Sequence, residues 1–507
     1  MKIRTMTQHG LGIMVCLLAI GLMHDPAGAA SFTWNGGSLT SDDWSDGDNW
    51  AGGIAPDNDG TADIHFAGST RLSPNVDAAW SVRSITFDSG AAAFSIGGST
   101  ISLPVNLITN SSTSTQSLAN DVDFTGGFRS LSASSGDVTL TGQWTIASGS
   151  TIFARGGHDV TFDGLVTGGG SVNRTDPGTT FLNNNANDFA GSISTAHGVV
   201  ELGSIANAGV ASAIGAGSTI SLGQGIWGPS DTGRLRYTGA TASTDRTVVM
   251  VSNGTTQAVE PSQTLGFSGR PTIEVTNAST TLTFDGDFNY AGSSTLGMWR
   301  FFGAGNGVIN GDITTTGARI QKSGAGTWTL NGAANNTAIT EVLNGTLLVN
   351  NTLASSDVLV SSGATLGGNG TPAGNVNIAA GGFLAPGESI GTLNVQQDAT
   401  IDGTLLIEVD PTGAGSVDLL DVDGVLDISA ATVDFDLLAP LDDDAYIFAT
   451  YGSLTGGSFA TVLNKPDGYG IFYNYQDTNQ IALVAVPEPA SLMVMVLGAA
   501  GLVRRRR

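Results

Sequence analysis

Apolar side chains recur at every second position in short runs along this chain: Val138-Thr139-Leu140, Val160-Thr161-Phe162, Leu282-Thr283-Phe284, Leu347-Leu348-Val349 and Leu405-Leu406-Ile407. Alternation of this kind sets one row of side chains on each face of a strand. The Gly, Asn and Asp residues between the runs supply tight turns at low steric cost. No stretch of the body pairs a helical period with caps, so the pattern predicts an all-β protein.

The spacing of the runs narrows the architecture. Gly345-Thr346-Leu347, Gly363-Ala364-Thr365-Leu366, Gly382-Phe383-Leu384 and Gly403-Thr404-Leu405 place leucines 19, 18 and 21 residues apart. A second register joins Val358, Val376 and Leu393 at 18 and 17 residues. Upstream, Asp137-Val138-Thr139-Leu140 and Asp159-Val160-Thr161-Phe162 stand 22 apart, and Thr161-Phe162-Asp163-Gly164 returns as Thr283-Phe284-Asp285-Gly286. A period near 20 suits coils that stack strands of like register, each burying its inward residues against its neighbours. The expectation is a single-stranded parallel β-helix of degenerate 17–22-residue coils, with a β-sandwich as the competing arrangement. Residues 131–410 form the repeat body. Residues 31–130 hold a Trp-, Asp- and Gly-rich cap with the first coils, and 411–485 form a closing β cap. Trp34, Trp44 and Trp50 in the first cap read as a plug on an open end or as a sugar-stacking platform.

The two ends carry different patterns. Lys2 and Arg4 precede the apolar stretch Leu11 to Met23, and Ala27-Gly28-Ala29 offers small residues for cleavage near Ala30. Residues 1–30 therefore read as a secretory signal peptide, a substrate of the Sec machinery and signal peptidase. At the other end, residues 486–507 comprise Val486-Pro487-Glu488-Pro489-Ala490, an apolar run to Val503, and Arg504-Arg505-Arg506-Arg507. A helix over 490–503 rises only about 21 Å, short of the roughly 30 Å hydrocarbon core, which suits a transient anchor. The arginines favour a cytoplasmic C-terminus and leave the body outside.

This tail closely resembles the PEP-CTERM sorting signal, and the resemblance implies an exosortase-type membrane protease as partner. Its site residues here are Val486, Pro487, Glu488, Pro489, Ala490 and Arg504, Arg505, Arg506, Arg507. The body resembles the autotransporter-associated β-strand repeat proteins through Lys322-Ser323-Gly324-Ala325-Gly326-Thr327-Trp328-Thr329-Leu330, then Asn344-Gly345-Thr346-Leu347-Leu348-Val349, then Leu384-Ala385-Pro386-Gly387-Glu388-Ser389-Ile390-Gly391-Thr392-Leu393. That likeness implies a right-handed parallel β-helix acting as a surface passenger or stalk. A C-terminal translocator barrel has no room beside the sorting tail, so self-export is not implied.

Charge and composition bound the partners. The chain has 19 basic and 44 acidic residues. Setting aside Lys2, Arg4, Asp25, Glu488 and the four terminal arginines leaves 13 basic and 42 acidic. Nucleic acid is excluded as a partner, because binding it needs cations against phosphates. The lone cysteine, Cys16, lies inside the leader, so the mature body has neither disulfides nor thiolate metal sites.

Little else resembles catalytic machinery. Gly387-Glu388-Ser389-Ile390-Gly391 matches the nucleophile-elbow formula, but neither a helix pattern nor a histidine follows it. His65, His158 and His197 are isolated and lack zinc spacing. Asp285, Asp287 and Asp312 are candidates for a carboxylate pair of the kind that cleaves polysaccharide. Turn aspartates at this density are also what structure alone requires. Asp46, Asp48, Asp57, Asp59 and Asp442-Asp443-Asp444 offer hard oxygen ligands for weak calcium binding, without an EF-hand or a glycine-aspartate nonapeptide. The sequence thus assigns no catalytic, cofactor-binding or metal residues. It points to a non-enzymatic structural or adhesive protein, secreted or at the cell surface and transiently held in the membrane by its tail, in contact with exopolysaccharide. The alternatives are a hydrolase or lyase built on a β-helix and a non-catalytic carbohydrate-binding protein.

Overall fold

A computed structural model describes residues 30–105, 108–223, 233–251, 271–291, 297–315, 317–412 and 416–486. The leader proposed for 1–30, except Ala30, and the tail beyond Val486 lie outside the described residues. Within them the chain is all-β, with two short 3-10 turns, Gly47–Asn49 and Tyr475–Asp477.

Nearly all strand pairs are parallel. An eleven-stranded sheet starts at Ser31–Trp34 and ends at Phe288–Tyr290. A five-stranded sheet runs from Trp80–Ser81 to Val166–Gly168, and a ten-stranded one from Ala242–Thr244 to Thr461–Leu463. A further ladder carries Val138–Leu140, Val160–Phe162, Thr179–Leu182 and Gly198–Leu202 onward through the body. Successive strands thus turn from one sheet to the next, a β-helix-like stack. Parallel sheets covered on both faces read as unbroken apolar runs. Here buried and partly exposed residues alternate, as in Thr404–Val409 and Thr327–Leu330, because one face is solvated.

Inward residues stack on their counterparts in the next coil. Leu347, Leu366, Leu384 and Leu405 are consecutive partners, as the leucine spacing predicts. Val138–Leu140 lies beside Val160–Phe162 in the same way. The second register breaks. Val358 pairs with Val376, but Val376 pairs with Ala399, whereas Leu393 pairs with Leu420. The strand Thr392–Val395 runs over Thr371–Pro372 instead, with Asn394 N donating to Gly370 O at 3.1 Å and Gln396 N to Pro372 O at 3.0 Å. Near-equal spacing does not say which sheet a strand joins.

Turn chemistry holds the coils in step. Asn310 donates to Asp285 at 2.7 Å, Asn331 to Asn310 at 2.8 Å, and Asn350 to Asn331 at 2.8 Å, one rung per coil. Beside this amide ladder runs a column of glycines. A Cβ on Gly311 or Gly332 would overlap the carbonyl of the glycine one coil earlier, so Asp-Gly and Asn-Gly recur at these corners.

The first cap is a plug. Trp34, Trp44 and Trp50 are at most 1% exposed. Trp50 meets Trp34 and Trp44 edge-on at 5.2 and 5.8 Å, and its Nε1 donates to Trp44 O at 2.8 Å. Rings so covered cannot stack on sugars, which removes the platform reading. At the far end Gln480–Ala485 pairs antiparallel with both Ala445–Thr455 and Tyr469–Phe472, ending the parallel ladder with a crossed strand.

Candidate functional site

A cleft of about 390 Å³ opens on the outer face of the ten-stranded sheet near its C-terminal end. Its floor comes from outward positions of adjacent strands: Thr346 and Leu348, Thr365, Ala385 and Leu406. One wall is the loop Gly387–Gly391. Gly387 bridges antiparallel to Gly368 and holds a φ of +90°, where a Cβ would strike the carbonyl of Ser389. The other wall begins where the chain turns back after Thr404–Val409. Val409 faces Val417 antiparallel, and Asp418 N donates to Glu408 O at 3.0 Å.

Asp418 ties the two walls together. It is 2% exposed, its Oδ1 accepts from Gly391 N at 2.9 Å, and its Oδ2 accepts from Glu408 N at 2.8 Å. Burial is the main cause that pushes its carboxyl up to about 7. The two N–H donors oppose that rise, and the neighbouring Glu408 charge adds to it. Glu408 is raised as well, by burial and then by Asp436, its partner in register on the next strand. Asp434 accepts from Asn464 at 2.7 Å, and Glu388 from Asn350 at 2.6 Å. None of the described lining residues is Lys, Arg or His.

The buried carboxyl makes stability depend on pH with a defined sign. Folded Asp418 keeps its proton up to about pH 7, whereas the ordinary value is 3.8. The folded state therefore binds more protons between these limits, and its stability falls as pH rises from about 4 to about 7. Thermal melting between pH 4 and 8 should show a drop of several degrees across that window, and Asp418→Asn should flatten it.

The residues singled out from sequence are dispersed. Ser389 is exposed in a bend between the strands Phe383–Pro386 and Thr392–Val395, so the strand-to-helix turn of a nucleophile elbow is missing there. His65 contacts Asp88 at 3.0 Å and His158 contacts Asp137 at 3.7 Å, in different coils, while His197 is half-buried elsewhere. Asp285 accepts from Asn310, Asp287 accepts from Asp312 N at 3.0 Å, and Asp312 accepts from Ala333 N at 2.8 Å. These three are successive turn braces rather than a facing pair. Asp46 caps the first 3-10 turn, and Asp59 holds Thr61 N and Oγ1. Among the described residues no three His, Cys, Asp or Glu side chains gather as a metal site, and no helix is long and apolar enough to cross a membrane. Of the sorting residues only Val486 is described, exposed at the end of the last strand. Pro487, Glu488, Pro489, Ala490 and Arg504 to Arg507 lie outside.

Sequence reasoning missed the cleft's carboxylates. Their signal lay in the alternation: outward positions of Thr404–Val409 and Thr432–Leu437 turn from Thr to Glu408, Asp434 and Asp436 in neighbouring strands. It also missed Lys322, Arg174 and Arg246, each at most 1% exposed. Lys322 Nζ donates to the carbonyls of Ser323, Gly324 and Asn344, at 3.3, 2.8 and 2.9 Å. Arg174 and Arg246 bind turn carbonyls in the same manner. These cations are internal pins.

Among known families, a model of the PEP-CTERM protein-sorting motif matches residues 485–507. No curated protein matches the chain. The motif indicates a protein sorted by an exosortase-type membrane protease to the cell surface, with the C-terminal segment as its anchor.

Proposed function

We propose that the chain is a non-enzymatic structural or adhesive protein of the outer envelope or of exopolysaccharide-rich material, an acidic right-handed β-helix held outside the cell. The C-terminal sorting motif carries this reading, because it supplies the address. Two features of the body support it. The phrase Lys322 to Leu330, which resembles the autotransporter-associated repeats, is accounted for by folding alone: Lys322 pins turn carbonyls, Gly324 adopts a φ of +79°, and Trp328 stacks on Phe301 at 4.6 Å. Asp285, Asp287 and Asp312 are likewise committed to bracing neighbouring coils. Coils stacked at about 4.8 Å each make the body a rod, and they vary in length beyond the 17–22 residues expected from spacing, since Arg234 pairs with Thr272 and Thr404 with Thr432. Export through Sec and signal peptidase precedes sorting on this reading.

Removal of residues 487–507 tests it. The truncated chain should lose the cell-surface fraction and accumulate elsewhere, whereas the full chain should be reached by a protease added to intact cells. Equal surface exposure of both chains would refute the reading.

A second reading has one observation in its favour. A carboxyl near neutrality at Asp418, beside Glu408 and Asp436, is an arrangement that separates an acid from a base in polysaccharide cleavage. Release of new chain ends from a glycan, abolished by Asp436→Asn, would establish it.

A further inference from the structure

Shape and charge in the cleft have separate origins. The concavity is made by backbone, as the Gly387–Gly391 loop rises from an otherwise open sheet. The charge comes from side chains at outward strand positions. Glu408 and Asp436 are register partners, so two like charges sit on adjacent strands, an arrangement that cross-strand pairing disfavours. Asn464 and Asn350 engage Asp434 and Glu388, but no hydrogen-bond donor or cation in the described structure answers the side chains of Glu408 and Asp436. The site is thus set up to receive positive charge from outside.

The floor says what kind of cation. At about 390 Å³ the space falls within the roughly 300–1,000 Å³ of organic-ligand pockets and far exceeds a bare ion. Leu348, Ala385 and Leu406 offer an apolar shelf, and Thr346 and Thr365 set hydroxyls beside it. An apolar shelf with hydroxyls and carboxylate acceptors matches a pyranose ring, with its C–H face and its hydroxyl donors. A uronic or sulfated glycan is repelled by the rim.

We infer that this cleft binds a short stretch of glycan bearing unacetylated amino sugars, with a protonated amine held between Glu408 and Asp436 and the sugar ring on the apolar floor. The inference rests on the adhesive reading and gives it a ligand class. Glu408 and Asp436 contact the amine directly. Asp418 is a positioning residue that fixes the spacing of the walls.

The test is calorimetric titration of the full-length chain in detergent with three oligosaccharides of equal length: β-1,4-linked glucosamine, its N-acetylated form, and galacturonate. The glucosamine oligomer should bind about tenfold or more tighter than the acetylated one, with galacturonate silent. Glu408→Gln and Asp436→Asn should each weaken glucosamine binding about tenfold, while Asp402→Asn, outside the cleft, should leave it unchanged. None of the three variants should melt below the parent, because Glu408→Gln and Asp436→Asn each relieve a like-charge pair, and this separates lost binding from lost folding. Equal affinity for the acetylated oligomer, no binding, or insensitivity to both rim substitutions would each overturn the assignment. Because binding is read on purified protein and sorting on cells, failure of one leaves the result of the other intact.

Discussion

Replacing Trp44 by alanine should cost the N-terminal end about 3–5 kcal/mol, the usual loss for a buried indole. Trp44 is fully buried and meets Trp50, Phe66 and Trp80 at ring distances of 5.8, 6.2 and 5.8 Å. Its backbone also receives the Trp50 Nε1 bond. In a stack of coils each unit is stabilised only by its neighbours, so damage to a terminal plug acts first on the adjacent coils. Hydrogen exchange should therefore accelerate in strands between Ser31 and Asn110 and remain unchanged in those between Arg319 and Ile401. Uniform acceleration along the chain would mean that the cap is not a local plug, and an unchanged profile would mean that it is not a plug at all.

Lys322→Met should be the second severe substitution. Methionine fills the volume of the stem but leaves the carbonyls of Ser323, Gly324 and Asn344 without the ammonium they share. Ser323 is buried, but Gly324 and Asn344 keep some contact with solvent, which limits the loss to about 3 kcal/mol at pH 7. The pH dependence identifies the cause. Burial pushes the Lys322 amine down to about 8 from an ordinary 10.5. The folded state releases this proton before the unfolded state does, so stability rises between about pH 8 and 10.5 and stands at its lower level below 8. Denaturant midpoints across that window should climb for the parent chain and stay flat for Lys322→Met, widening the gap that the lost bonds open at pH 7. Parallel slopes would show that Lys322 does not titrate as a buried group.

Lys322 and Trp44 also show how much was legible beforehand. Both stand in phrases visible in the sequence, one as a repeat signature and the other as a tryptophan-rich segment. What they touch was not visible. A lysine followed by Ser-Gly-Ala-Gly reads as a solvated turn, and only the returning carbonyl of Asn344, one coil later, makes it an internal pin. Trp44 was open to a sugar-binding role until the surrounding rings closed over it.

The cleft divides in the same way. That Glu408 and Asp436 point outward follows from alternation with Ile407 and Phe435, which are buried. That they are neighbours depends on the register of two strands separated by the Asp418 turn and by the strand Leu419–Asp427.

The sequence by itself determined the all-β character, the inward leucine column from Leu347 to Leu405, the glycine and Asx corners, and the C-terminal address. Each depends on residues close together in the chain or on a repeat spacing that stays nearly constant. The tertiary structure alone decided that Leu393 leaves the column of Val376, that the tryptophans are covered, and that Asp418 joins two walls around an acidic cleft. Turns between strands vary in length, so spacing cannot say which sheet a strand enters. The environment of a charged side chain is set by backbone that arrives from the next coil.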